Sequence, residues 1–513
     1  MSIHRERPSL IGAIGCVCLA LVSSPMAAQE PFPGLDAYVN KAMAEWKVPG
    51  LSVAVVRNDS VLYTKGYGVL KIGAPAAVDE RTLFEIGSSS KSFTATLVAM
   101  LVTDGKMRWD EKVSTYLPSL RLADPLASAE LTLRDALSHR SGLSRGDLAW
   151  MGVSLPREEV LRRVRFLKPA WPFRSRWGYQ NMMFLAAGEA AAKAAGTTWD
   201  ELIAQRIFAP LGMTASIPVL REPAKVTNLA TPHLVLSDTV RAKAHMNIDD
   251  MAPAGSIVSN ARDMAQWLRL QLGDGQFEGK RLVGRLPLRE THTPQMLIGA
   301  GAGNDSLTRF NAYGMGWFVE DYRQALVWQH GGNTDGMTTA MGVLPERKFG
   351  VVVLSNMHGS PLPGILMRYL FDRQLGAPMR DLSAEALARA TAQRRRADST
   401  EKAQAAQRIA GAKPPVALSA YTGTYVDSLY GEAVVSLEGE QLSMQRGEWS
   451  APLTYWTGNN FRWGTLQSAA VTSLFIRFDN TPDGKVATLM FAVGADTVYM
   501  SRKAAAARAA VTP

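Results

Sequence analysis

Cysteine is almost missing from this sequence. There are two, Cys16 and Cys18, and the rest of the 513 residues carry no thiol. That excludes a cysteine hydrolase and a disulfide-stapled scaffold for everything downstream. Long apolar runs are missing too. The stretch from Leu10 to Val22 is too short to cross a bilayer comfortably, and no later run reaches the length of a membrane helix. The seven histidines show neither a His-x-x-x-His nor a His-Glu-x-x-His spacing, which argues against a zinc hydrolase. No metal or cofactor is expected. There is no internal repeat.

Charge of one sign is in excess, at a formal net of +10, but it is dispersed. The one basic cluster, Arg394 to Arg396, has Asp398 and Glu401 beside it and reads as a solvated helix face. Nucleic acid is therefore not an expected partner. A dispersed cationic surface is suited to attraction by anionic envelope material.

The apolar fraction, 47%, is that of a chain with a packed core, and the length suggests two or three structural units. The first 28 residues read as a secretory signal peptide. Arg5 and Arg7 precede the apolar stretch, and small residues ending at Ala28 follow it. The expected location is periplasmic or secreted, with no integral membrane segment after cleavage.

Leu51 to Val56 and Ser60 to Tyr67 are β-rich runs around the turn Arg57-Asn58-Asp59, the pattern of a hairpin. A helix is expected from Ser89 to about Thr103, and residues 105 to about 300 read mostly as helices and loops. Strands are expected again at Ala325 to His330, Thr338 to Leu344 and Gly350 to Ser355. The pattern predicts an α/β (α+β) unit over 29–380, its sheet built from both ends of the segment with a helical region inserted. Residues 381–412 read as a helical connector. Residues 413–513 carry short strands and turn signals, the pattern of a separate all-β barrel or sandwich with its own core.

Three motifs carry chemistry. In Gly87-Ser88-Ser89-Ser90-Lys91 a helix starts at or just after Ser88, where unpaired N–H groups can meet a developing oxyanion. Lys91 lies three residues on, on the same face, where a partly buried amine can act as a base. The spacing alone is weak, since Ser399 and Lys402 repeat it inside the charged connector. In Tyr179-Gln180-Asn181, Tyr179 can shuttle a proton and Asn181 can hold a substrate amide. In His330-Gly331-Gly332-Asn333, a strand ends in two glycines that leave room for a ligand against the backbone.

Taken in this order, the motifs resemble the serine β-lactamase and penicillin-binding protein superfamily, in its class C-like branch (peptidase family S12 and related esterases). Further similar phrases are Val48-Pro49-Gly50-Leu51, Leu137-Ser138-His139-Arg140-Ser141-Gly142-Leu143, Ala252-Pro253-Ala254-Gly255 and Tyr313-Gly314-Met315-Gly316-Trp317. The resemblance covers roughly residues 33–375. Around Tyr421-Thr422-Gly423-Thr424-Tyr425 the C-terminal unit is similar to a lipocalin-like β domain. The resemblance implies an antiparallel β-lactamase-like sheet, Ser88 as nucleophile, Lys91 as its activator and Tyr179 as proton relay. It also implies Asn181, His330, Gly331 and Gly332 as substrate contacts, and the backbone N–H groups of Ser88 and Asn333 as the oxyanion hole. Whether Lys91 or Tyr179 takes the serine proton stays open.

One departure bears on the substrate. Many β-lactamases have Lys-Thr-Gly where this chain has His330-Gly331-Gly332. Histidine there points to D-amino-acid peptides, amides or esters as substrates, with cell-wall material as a candidate partner. A true β-lactamase and a non-catalytic wall-binding sensor are the alternatives. The histidine is expected to anchor a substrate carboxylate when protonated.

Overall fold

The computed structural model describes residues 1–4, 31–236, 238–300, 307–406, 411–464, 474–493 and 496–504. The predicted signal peptide lies almost wholly outside the described residues.

Strand β1 (Gly50–Arg57) reads Gly-Leu-Ser-Val-Ala-Val-Val-Arg and is buried at every position but the last. Such a continuous apolar run suits a strand covered on both faces. Its alternation then divides its side chains between two cores. Leu51, Val53 and Val55 join one apolar cluster, while Ala54 and Val56 join another. β1 turns through Asn58, in the left-handed region, into β2 (Ser60–Gly68). Its other neighbour comes from far along the chain. After β3 (Met296–Ala300), β4 (Thr308–Tyr313), β5 (Phe318–Tyr322), β6 (Ala325–Thr334) and β7 (Met337–Leu344), β8 (Phe349–Ser355) pairs antiparallel with β1. The eight-stranded order is β2-β1-β8-β7-β6-β5-β4-β3, all antiparallel.

Helices cover both faces. Leu35–Trp46 (α1) and, after the sheet, Leu362–Leu375 (α5) pack on one side. The inserted region, with α2 (Ser90–Thr103), α3 (Asn181–Ala195) and α4 (Ala261–Leu272), packs on the other. Helix α2 is buried all round from Ser90 to Leu101, as a helix in the middle of a protein must be. Phe93 on it stacks on Trp267 of α4 at 3.8 Å.

The connector is helix α6 (Leu382–Ala406). On it, the exposed Ser399 gives its hydroxyl to the Arg395 carbonyl at 2.9 Å, and the second Ser-x-x-Lys spacing is surface decoration. Strands β9 to β16, from Gly423–Asp427 to Asp496–Arg502, close an eight-stranded antiparallel barrel. Two expectations need correction. Three sheet strands, β3 to β5, fall in or beside the segment read as helices and loops. The barrel interior is also not isolated: one apolar cluster runs from α2 and the inserted helices through Leu148 and Trp449 into the barrel interior at Met444, Phe461 and Phe478.

Candidate active site

The turn before α2 sets the site. Gly87 opens a single 3-10 turn, Gly87–Ser89, with φ of 52°, a left-handed conformation that glycine adopts freely. A Cβ on Gly87 would lie 2.8 Å from the Asn333 amide nitrogen. Gly332 answers from β6: a Cβ there would lie 1.8 Å from the Ile86 carbonyl and 3.0 Å from the Ser88 nitrogen. The two glycines therefore let the Ser88 and Asn333 amides approach each other across the gap between turn and strand. The Ser89 hydroxyl ties them together by donating to the His330 carbonyl at 3.1 Å. The strand does not end at the glycines, as the sequence suggested, but runs on to Thr334.

Gly332→Ala is expected to force that gap open. Stability should fall by about 1–3 kcal/mol from overpacking, and acylation of Ser88 should slow roughly a hundredfold as the two amides separate. Urea unfolding and the rate of fluorophosphonate labelling measure the two effects.

Ser88 is part-exposed and opens onto a cavity of about 460 Å³. Lys91 is fully buried, with Nζ 3.0 Å from Ser88 Oγ and 2.8 Å from the Ala254 carbonyl. Its walls are the rings of Tyr179, 4.8 Å away, and Phe184, 5.4 Å away. Burial pushes its pKa well below the ordinary lysine value, and the Asp147 carboxylate only partly opposes this. A neutral amine fits the geometry, with one N–H to the Ala254 carbonyl and the lone pair facing the Ser88 hydroxyl. Tyr179 also hydrogen-bonds Ser88, but burial pushes the phenol above its ordinary value.

Tyr179 is held by His139, the histidine of the Leu137–Leu143 phrase. The rings lie 4.3 Å apart, and His139 Nδ1 accepts the Gln180 N–H at 3.0 Å. The proton of this buried imidazole therefore sits on Nε2. Burial keeps it neutral.

Asn181 begins α3 and lines the cavity. Its Nδ2 donates to Asp147 Oδ1 at 2.8 Å, which leaves its carbonyl oxygen and its second N–H for a substrate amide. Asp147 also accepts from Trp150 Nε1 at 3.2 Å and from Arg145 Nε at 2.5 Å. Arg145 and Asp147 both line the cavity, and sequence reasoning missed them. A signal was available in Gly142-Leu143-Ser144-Arg145-Gly146, which has the Gly-x-Ser-x-Gly spacing. It is a loop here, with no strand before Ser144, and so not a nucleophile elbow.

His330 differs from the expectation. Its ring is 2% exposed, and Nε2 pairs with the Tyr313 hydroxyl at 3.0 Å. Phe318 packs against it at 5.2 Å. Burial pushes its pKa down to about 3. The ring is neutral across the ordinary pH range and cannot serve as a cationic carboxylate anchor. Its strand partners fix that face: residue 330 pairs with Met341, whose side chain is fully buried in the inserted-region core.

Beneath the cavity wall, Asp250 sits in the turn Asp249–Met251. Burial pushes its carboxyl up to about 8, and the Asp249 carboxylate adds to the rise. The folded chain thus keeps a proton that the unfolded chain loses above pH ~4, so stability falls as pH rises from about 4 to 8. Asp250→Asn is expected to be more stable than the parent, by a margin that widens by up to about 1.4 kcal/mol per pH unit over that interval. Thermal melts at pH 5 and pH 8 measure it.

Comparison with known proteins places the fold. The Beta-lactamase family model matches residues 35–373, and the chain belongs to that family of serine hydrolases. A domain of unknown function, DUF3471, matches residues 407–506. The unguisins hydrolase ungD of Aspergillus violaceofuscus is 27% identical over 70% of this chain and 68% of its own length. Penicillin-binding protein 4 of Amycolatopsis lactamdurans is 27% identical over 61% of this chain and 82% of its own. The octameric penicillin-binding protein homologue from Pyrococcus abyssi shares the fold over 91% of this chain and 99% of its own, with a TM-score of 0.59 and 20% identity. A D-stereospecific amidohydrolase from Streptomyces sp. overlays with a TM-score of 0.51 at 22% identity, over 62% of this chain and 94% of its own. Among the described residues no helix is long and apolar enough to cross a membrane.

Proposed function

We propose that this chain is an exported serine hydrolase that forms an acyl-enzyme on Ser88 and acts on D-amino-acid peptides, amides or esters. The observation that carries the reading is the fully buried Lys91 amine 3.0 Å from Ser88 Oγ. Lys91 takes the Ser88 proton as Oγ attacks the substrate carbonyl carbon. The Ser88 and Asn333 N–H groups receive the resulting oxyanion. Tyr179 passes its proton to the leaving nitrogen or oxygen as its bond to carbon breaks, and the Lys91 ammonium reprotonates it and so returns to the neutral amine. Water then attacks the ester, giving a proton to the same base, and Ser88 leaves reprotonated.

Lys91 is the base rather than Tyr179, because burial favours the neutral form of each and only the neutral amine can accept a proton. With His330 buried and neutral, the strand offers no ammonium for a carboxylate, and this disfavours efficient β-lactam turnover. The name of the D-stereospecific amidohydrolase is in keeping with amide substrates.

The test is a screen of purified protein on D-alanyl peptides, p-nitrophenyl esters and nitrocefin, with mass spectrometry of the fluorophosphonate adduct. An adduct on Ser88 with ester or D-peptide turnover supports the reading. Turnover of nitrocefin alone would replace it with a β-lactamase, and no adduct would replace it with a binding module.

A further inference from the structure

The C-terminal barrel reaches the cavity at two points. The first is a clamp. Arg446, at the end of the barrel strand Gln441–Arg446, is 1% exposed. Its guanidinium donates to main-chain carbonyls, to Met151 at 3.1 Å, to Tyr430 at 3.1 Å and to Leu148. Two of these lie in the loop that carries Arg145, Asp147 and Trp150 into the cavity. The next barrel residues extend the clamp. Glu448 N–H donates to the Gly152 carbonyl at 2.8 Å, and a Cβ on Gly152 would lie 2.4 Å from the Trp449 ring. A buried guanidinium is costly unless its donors are satisfied. Here the Nη1 and Nη2 donors are satisfied, Nε is not, and the satisfied pair fix a loop that, through Asp147, fixes Asn181.

The second point is Val493, the last residue of the barrel strand Val486–Val493, which lines the same cavity as Ser88. It faces a wall that is apolar: Leu148, Trp150, Met151 and Met251. Apolar walls gain affinity from apolar ligand surface, and a few polar groups fix its orientation.

We infer that the barrel is a wall of the substrate site, and that the substrate presents a large apolar group to the surface shared by Val493 and the loop clamped by Arg446. This deepens the hydrolase reading and rests on it for the position of the scissile bond. Val493 determines specificity, and Arg446 positions the loop without touching substrate.

The test uses the full-length chain and its Val493→Trp, Val493→Ala and Arg446→Met variants. The readouts are kcat/KM for p-nitrophenyl octanoate and acetate, and the Kd of octanamide by calorimetry. Val493→Trp should lower the octanoate-to-acetate ratio about tenfold and weaken octanamide by a similar factor, since an indole fills the apolar wall. Val493→Ala should change the ratio severalfold at most, and in the opposite direction. Arg446→Met should lower the octanoate rate more than the acetate rate, a split that a general loss of stability would not give. An octanamide Kd unchanged in both Val493 variants, or ester ratios equal to the parent's in all three, overturns the inference. If the parent turns over neither ester while octanamide binding responds to Val493, the wall stands and the acyl-transfer reading falls.

Discussion

Ser88→Ala is expected to abolish covalent labelling and to lower kcat by about a million-fold, as loss of the nucleophile does in other serine hydrolases. Ser88 and Thr334 both line the cavity with hydroxyls, and Ser88 is the one with the Lys91 amine 3.0 Å away. The described hydroxyls nearest to Ser88 along the chain are already committed: Ser89 Oγ to the His330 carbonyl and Ser90 Oγ to the Gly87 carbonyl at 2.7 Å. The exposed Ser399 lies outside the cavity. The fold should be unchanged, because a part-exposed hydroxyl is replaced by a methyl. Mass spectrometry after fluorophosphonate treatment, with kcat on the best ester, measures both. Residual labelling of the variant would identify another nucleophile.

Lys91→Met should be nearly as damaging, about a thousand- to ten-thousand-fold in kcat/KM, because it removes the base and keeps the volume. It should also stabilise the protein at neutral pH. Burial lowers the lysine's pKa, so the folded chain releases a proton that the unfolded chain keeps up to about pH 10.4. Wild-type stability therefore rises with pH between the lowered value and about 10.4, and the methionine variant lacks that rise. In the wild type, kcat/KM should climb along an acid limb whose midpoint lies well below the ordinary lysine value. A melting series and a pH–rate profile of the two proteins check this. A variant that is both less stable and still active would remove Lys91 from the mechanism.

Much of the site was legible because it is local. Ser88 and Lys91 share one turn of chain, and the helix that begins there follows from its apolar run. Gly331-Gly332 marks a close approach that any side chain would block, although the sequence could not say that Gly332 alone makes it. What escaped is what depends on partners far along the chain. Asp147 looks like a loop acid until it meets Asn181, 34 positions away. His330 announced an imidazole, but the pairing with Met341, not the residue type, decides that the ring faces a buried aromatic cluster. In the barrel, the strand Trp449–Thr457 was hidden by Pro452, which sits at an outward, exposed position where its missing N–H and stiff ring are tolerated. The apolar contact that joins the sheet domain to the barrel interior leaves no mark in either segment's own periodicity.

The pairing of β1 with β8 has a consequence for how the chain is made. Leu51 lies opposite Ser355, so the valine-rich middle strand meets its partner only after about 300 further residues have been synthesised, on the order of 15–60 s at ordinary elongation rates. Until then the β1–β2 hairpin has one open, apolar edge with no strand paired to it. Contacts so distant in sequence make for slow folding. The growing chain is thus kept from burying its centre for most of its synthesis. That delay is the interval in which a partner that shields hydrophobic strands would matter most.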